Sequence, residues 1–381
     1  MITASEKFFI ALLAASLNET AAPSPQGVDA GVIYALATRH HLLGSIAVPL
    51  EKQSGAPQEL RKLTRKAKYD SIRNDAVFMH ELEAIEQAME QAQVDMLTLK
   101  GPVIKALYPH SYLRSMSDLD ILYHDSDERK VIEVMENLGY CCNGREAGNH
   151  LLFSKAPMTQ VEFHPALLPR GTKHTYKDDD WAYTHPRSGH KHIFEMTPER
   201  YYEYMFLHLL QHLWAGGVGA RFVMDVYVYS TVMAGKYDRE KFQNDCRQMG
   251  IMTLVSNMES LAAAWFTGAE LTKTQEELTQ FILEGGLYGK TEHREASSVI
   301  RSGGSKLKHY WHIVFEPAAY IKELYPSLKR VPFLLPFYYF HRIPKRFFSR
   351  RNKAKARIQA NKGLTREQIR RQQALFDKLE I

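Results

Sequence analysis

Cysteine is nearly missing from this chain: among 381 residues there are three, Cys141, Cys142 and Cys246. That is too few for a disulfide framework, and no Cys-x-x-Cys spacing marks a zinc site. Such usage fits a reducing, cytoplasmic setting. Also missing is any run of 18 apolar residues, so no transmembrane helix is predicted. There is no internal repeat, which argues against a solenoid. Acidic residues are scarce in one stretch: from His341 to Arg371 a single acid, Glu367, stands among twelve Lys and Arg, a local charge of +11. The whole chain carries +6, so the remainder carries −5. A basic tail on a mildly acidic body suits an anionic partner. Aromatics just before it (VPFLLPFYYF) favour a membrane surface, at the inner face of the membrane, with nucleic acid the weaker alternative. A packed helix followed by a solvated basic one accounts for the same pattern equally well.

What is present is ordinary globular material. Apolar residues make up 45% and charged residues 24%, enough for a sizeable core. The length allows two or three domains, or one core with helical additions. Residues 1–93 read as helical. Lys7 to Leu17 resembles a short signal sequence, but Glu6 dilutes the positive flank and Ser5 can cap an amphipathic helix, which is the reading taken. The longest helix begins near Gln58, with Leu60, Leu63, Ala67, Ile72, Ala76, Met79, Leu82, Ile85 and Met89 as its apolar face. From 94 to 195 the pattern changes to a mixed block in the order β-α-β-α-β-β. VDMLTL forms a strand, Lys100-Gly101 ends it, and Pro102 opens a helix. DLDILYH forms a strand, Ser126 caps the next helix, and LLFS and QVEFH are strands. Residues 196–300 are helical again from Thr197-Pro198, and 301–381 form a linker and the aromatic and basic tail. The fold class is therefore α+β, a small mixed sheet embedded in a largely helical chain.

The chemistry concentrates in the mixed block. Asp118 and Asp120 alternate with apolar residues, so a strand points both to one side while Leu119 and Ile121 face the core. At roughly 7 Å apart their repulsion is about 2.5 kcal/mol at an effective dielectric near 20. Water, a basic side chain or a metal ion must offset it. Hard cations such as Mg²⁺ (or Mn²⁺) prefer carboxylates together with substrate phosphates. Glu162, flanked by Val161 and Phe163, is the candidate third acid. The Gly101 turn opens a helix whose first N–H groups can face a phosphate, and Lys100 and Arg114 can add charge to the same anion. This suits phosphoryl or nucleotidyl transfer assisted by metal.

The succession LKG, then Arg114, then DLDIL, then VEFH resembles the polymerase-β-like nucleotidyltransferases, and within them the bacterial family described only as uncharacterised nucleotidyltransferases. The likeness covers roughly residues 60–230. Pro102 stands where the superfamily usually has serine, but a Lys-Gly turn is common in the bacterial family. The resemblance implies an NTP substrate, Asp118, Asp120 and Glu162 as catalytic metal ligands, and His212 and Arg221 facing the nucleotide. It also implies an acceptor bearing a hydroxyl or phosphate, with a surface-polysaccharide context. The competing expectation is a non-catalytic nucleotide-binding or membrane-surface assembly protein.

Each residue has a plainer reading. Lys100 and Arg114 can serve as structural counter-charges. His208 and His212, at i and i+4, read as packed polar residues rather than a zinc half-site, because no Glu follows the first His. Arg221 and Asp225, equally spaced, read as an intrahelical ion pair. Asp178, Asp179 and Asp180 read as solvated loop charge.

Overall fold

The computed structural model describes residues 2–304 apart from positions 23, 54, 56–57, 146–149, 158 and 170–171, and then 328, 331–338 and 363–381. The chain opens with α1 (Ala4–Leu17), α2 (Ala30–Arg39), α3 (Leu43–Lys52) and the long α4 (Gln58–Gln91). Thr3, not Ser5, caps α1, in a reciprocal capping box with Glu6. Ser5 is buried and its hydroxyl accepts from the Asp29 amide. Phe9, Leu12 and Leu13 on α1 are fully buried, so this helix is core rather than periphery. On α4 the expected apolar face is partly displaced. Leu63, Ile72 and Met79 are exposed, while Phe78 is buried with Leu82, Ile85 and Met89. A helix of 34 residues, about 50 Å long, runs past two different partners and cannot keep one face buried throughout.

Among the described residues the mixed block holds seven strands, three more than the sequence pattern gives. They are β1 (Met96–Thr98), β2 (Leu119–Tyr123), β3 (Cys141–Arg145), β4 (Leu151–Lys155), β5 (Thr159–His164), β6 (Thr184–Pro186) and β7 (Ile193–Met196), in the sheet order β3-β4-β5-β2-β1-β7-β6. β3 and β6 are the edges. An edge strand need not bury a face, so CCNGR and THP carry no apolar alternation to read, and Pro186 is tolerated there. Between the strands lie α5 (Gly101–Lys105) and α6 (Glu128–Asn137). Ser126 does not cap α6: a short 3₁₀ turn, Asp125–Asp127, leads into it without a side-chain cap.

The sheet separates two cores. Leu119, Ile121, Tyr123, Val161, Phe163 and Met96 point to one face and pack under the second half of α4 and under α6. Leu97, Leu99 and Leu122 point to the other face, against the helical body. That body consists of α7 (Pro198–Trp214), α8 (Ala220–Val232), α9 (Arg239–Gln248), α10 (Met252–Thr267), α11 (Lys273–Gly285), α12 (Thr291–Arg301) and α13 (Arg366–Lys378). α7 is buried nearly all round, with Tyr202, Phe206 and Leu209 inaccessible. The end of the chain docks on the body: Phe376 on α13 is fully buried and its ring meets Trp214 edge-on at 4.8 Å. The basic stretch 339–362, on which the membrane-surface expectation rests, lies outside the described residues. Just before it, Phe333 and Phe337 are exposed. Among the described residues no helix is long and apolar enough to cross a membrane.

Two buried polar junctions hold these parts together. His40, fully buried after α2, accepts from the Ala220 amide at Nδ1 (3.0 Å) and donates from Nε2 to the Leu283 carbonyl (3.3 Å). It thereby ties the N-terminal helices to α8 and α11 as a neutral imidazole. Burial lowers its pKa from 6.5 to about 4. The second junction is Arg114, whose Nε and Nη2 donate to the two oxygens of Asp225 at 2.8 and 2.9 Å, with Tyr108 Oη adding a third bond at 2.6 Å. It clamps the loop before β2 onto α8. The Arg221–Asp225 pair within α8 does not form, because Arg114 and Tyr108 occupy Asp225, and Arg221 Nη1 donates instead to the Ser115 carbonyl at 2.6 Å.

Two outcomes follow. The unfolded chain protonates His40 below pH 6.5 and the folded one only near pH 4, so this group's contribution is intact above 6.5 and lost as the pH falls towards 4. Denaturant titrations should show this acid-side slope, on the order of 3 kcal/mol, in the wild type and a shallower one in His40→Asn. Asp225→Ala should cost about 3–5 kcal/mol by leaving a buried guanidinium unpaired, whereas Arg114→Met combined with Asp225→Leu should recover most of it. Equal stability of the single and double variants would contradict the clamp.

Candidate functional site

The strand pairing builds the site. β2 and β5 run parallel with Asp120 directly opposite Glu162 and Leu122 opposite His164. Neighbouring strands lie about 4.8 Å apart, so the register alone places the two carboxylates side by side. Asp118, just ahead of β2, adds a third. All three line one cleft of about 420 Å³, together with Lys100, Gly101, Arg114, His212 and Arg221. Every candidate site residue from the sequence pattern therefore reaches one wall or another of the same space.

The charges in it are unequally treated. Lys100 Nζ lies 3.2 Å from Asp120 Oδ2, and His164 Nε2 lies 2.9 Å from Asp120 Oδ1. Burial works to raise the Asp120 pKa, but Lys100 and His164 outweigh it and hold the carboxyl well below the usual range. An ionised carboxylate only accepts, so the His164 Nε2 carries the hydrogen. Asp118 and Glu162 go the other way. Burial, then the charge of Asp120, raises Asp118, and burial followed by Asp120 and Asp118 raises Glu162. The like-charge repulsion inferred from DLD is thus offset at Asp120 by Lys100 and His164, and Asp118 and Glu162 are left poised towards the neutral form.

The turn before the cleft carries strain, one residue earlier than expected. Lys100, not Gly101, has the unusual backbone, with φ +33° and ψ −92°. Such conformations cost of order 1–3 kcal/mol and persist where the surroundings enforce them. Here Tyr201 Oη donates to the Lys100 carbonyl at 2.8 Å. Gly101 is needed for room: a Cβ there would sit 2.4 Å from Met116 Sδ. Arg114 Nη1 flanks the same position, although its other donors are committed to Asp225.

The far wall comes from the helical body. His208 and His212 are half-buried on α7, with their Nε2 atoms 3.0 Å apart. Burial, then Lys100, lowers both, His212 to about 4, so they are neutral packed residues that border the cleft. Arg221 Nε and Gln211 Nε2 are buried without a partner among the described residues, and both residues line the cleft. Leu287 and Tyr288 close one side. Their loop rests backbone to backbone on the turn between α7 and α8: Gly289, at φ +72°, would place a Cβ 2.6 Å from the Gly216 carbonyl.

Some site residues escape the sequence reading. His164 was legible in VEFH, two residues after Glu162 and so on the same face of β5. His150 carried no signal, since it precedes β4 and meets Glu162 only through strand pairing; its Nε2 lies 3.5 Å from Glu162 Oε2. Tyr288 comes from a distant loop. Of the three loop aspartates, Asp178 and Asp179 are exposed as expected. Asp180 is half-buried and accepts from the Leu167 amide at 3.2 Å, which braces the cleft-lining segment after β5.

Carboxylates converging beside a strained turn and a basic wall suit transfer of a phosphorus-bearing group. Comparison with known proteins is consistent with this. No curated protein and no solved structure matches the chain. The family model for uncharacterised nucleotidyltransferases matches residues 26–267, more than half of the chain and all of the carboxylate wall. The chain belongs to that family of uncharacterised nucleotidyltransferases, and its activity is nucleotidyl transfer.

Proposed function

We propose that the cleft transfers an NMP from an NTP to a hydroxyl or phosphate acceptor, with a divalent metal, Mg²⁺ or Mn²⁺, held by Asp118, Asp120 and Glu162. The observation that carries this reading is the β2–β5 register, which sets Asp120 against Glu162 with Asp118 on the same wall. The donor set fits the ion: three carboxylates at one open wall, two of them pushed towards the neutral form by burial and mutual repulsion, a state that a cation relieves. When bound, the ion neutralises the phosphates and activates the incoming hydroxyl.

The protein's own groups have separate tasks. Lys100, on the strained turn, pairs with Asp120, and a cation held by that carboxylate would free its ammonium for the phosphates. Arg221, whose Nε has no partner among the described residues, supplies a donor to the same polyphosphate. Arg114 acts mainly as the clamp that fixes the loop carrying Ser115 to Asp118, with Nη1 left facing Gly101. Glu162 accepts the acceptor's proton or orients the hydroxyl, since burial raises its basicity. His212, neutral and half-buried, shapes the nucleotide side of the cleft. A glycan-related acceptor in surface-polysaccharide metabolism fits the family resemblance. The exposed Phe333 and Phe337, followed by the basic stretch, support docking at an anionic membrane surface.

Two measurements check these readings. Pyrophosphate release from NTPs with Mg²⁺ or Mn²⁺ across a panel of acceptors should fall at least about 100-fold in Asp118→Asn, Asp120→Asn and Glu162→Gln, with circular dichroism unchanged. Wild-type turnover that persists in all three would remove the carboxylate mechanism. In liposome sedimentation, the full chain should pellet with anionic vesicles, and a variant with Phe333→Ser, Phe337→Ser and with Arg342, Lys345, Arg346, Arg350 and Arg351 changed to Gln, which keeps the docked C-terminal helix, should not. Equal pelleting of the two would end the membrane proposal.

A further inference from the structure

Glu162 does not stand among oxygen ligands alone. His164 Nε2 and His150 Nε2 each lie 3.5 Å from Glu162 Oε2, and the three ligand atoms fall within 4.8 Å of one another. The strand geometry explains why. His164 is two residues beyond Glu162, on the same face of β5. β4 pairs antiparallel to β5 with Leu151 opposite Phe163, so extending that register by one residue sets His150 opposite His164. The two imidazole rings are 5.1 Å apart between centroids. All three side chains are more than half buried and line the cleft.

We propose that His150, Glu162 and His164 form a second cation site, selective for a divalent transition ion of the Mn²⁺, Co²⁺ or Zn²⁺ kind over Mg²⁺. The site shares Glu162 with the transfer reading but does not depend on it. Two arguments support the selectivity. Imidazole nitrogen is a poor ligand for Mg²⁺, which demands oxygen and holds its waters, whereas two imidazoles and one carboxylate suit first-row transition ions. The spacing also agrees. A tetrahedral ion with bonds of about 2.0–2.1 Å sets its ligands about 3.4 Å apart, close to the two observed Glu–His separations. Ligation moves the His164 proton from Nε2 to Nδ1, freeing the Nε2 lone pair for the ion, and Asp120 keeps its neutraliser, Lys100, when that nitrogen turns away. The consequence is a cleft with two kinds of cation position, an all-carboxylate one for an ion riding with the polyphosphate and a nitrogen-rich one resident on β4 and β5.

Cobalt titration of the full-length protein tests this, followed by visible absorption and by calorimetry, without nucleotide. We expect one Co²⁺ per chain, with the intense d–d bands of a low-coordinate, nitrogen-ligated ion. His150→Ala and His164→Ala should each weaken binding at least about 10-fold and bleach the bands. Asp118→Asn should leave both within about 2-fold. Mg²⁺ in large excess should not displace the ion. Weak octahedral bands unaffected by His150→Ala, ready displacement by Mg²⁺, or no binding would each overturn the site. Because none of these readouts uses turnover, a failed site and a failed transfer mechanism remain distinguishable. Spin-echo spectra of the Mn²⁺ form give an independent check, since nitrogen modulation should be present in the wild type and lost when both histidines are replaced.

Discussion

The parallel pairing of β2 with β5 is the constraint on which the site depends. Parallel neighbours cannot be joined by a tight turn, so the chain leaves the sheet through α6 and returns through the β3–β4 hairpin before β5 is laid down. The outcome is that Asp120 and Glu162, 42 positions apart in sequence, become adjacent. A slip of one residue would send Glu162 to the apolar face and Phe163 into the cleft. The burial of Val161, Phe163, Leu119 and Ile121 in the core beneath the sheet forbids that slip. Apolar packing on one face thus fixes the charged geometry of the other.

Placing carboxylates in such contact needs compensation, and the molecule distributes it. Lys100 and His164 stabilise the charge on Asp120, while Asp118 and Glu162 are left poised towards neutrality. Lys100 reaches Asp120 from a strained backbone held by Tyr201, so a hydroxyl on α7 helps set the electrostatics of a strand. The buried bidentate Arg114–Asp225 pair fixes the intervening loop. These basic groups had seemed interchangeable as phosphate ligands; their environments separate a clamp from a movable counter-ion.

The helical body completes the cleft as well as covering the sheet. α7 contributes His208, Gln211 and His212, α8 contributes Arg221, and the loop after α11 contributes Leu287 and Tyr288. That loop lies beyond the stretch matched by the family, yet it is fastened to the turn between α7 and α8 by glycine-to-glycine backbone contact. One side of the cleft is therefore supplied by a part of the chain that the family match does not reach.

Much was legible in the sequence because it depends on local period and residue type. The long helix, the central strands, the Lys-Gly turn and the acid–apolar–acid strand follow from alternation and capping. VEFH placed Glu162; His164, two residues on, was missed although the same alternation puts it on that face. What the sequence could not give are pairings between distant residues. Edge strands β3 and β6 bury no face and so leave no pattern, and the exposed half of α4 broke the apolar period. Asp225 prefers Arg114 over Arg221 because a bidentate fork from the loop fits its two oxygens while the helical neighbour faces Ser115. His150 meets Glu162 only through the β4–β5 ladder. Residue chemistry and short-range period determined which groups were available. Long-range strand register and the desolvation that comes with burial decided which of them touch, and which charge each one keeps.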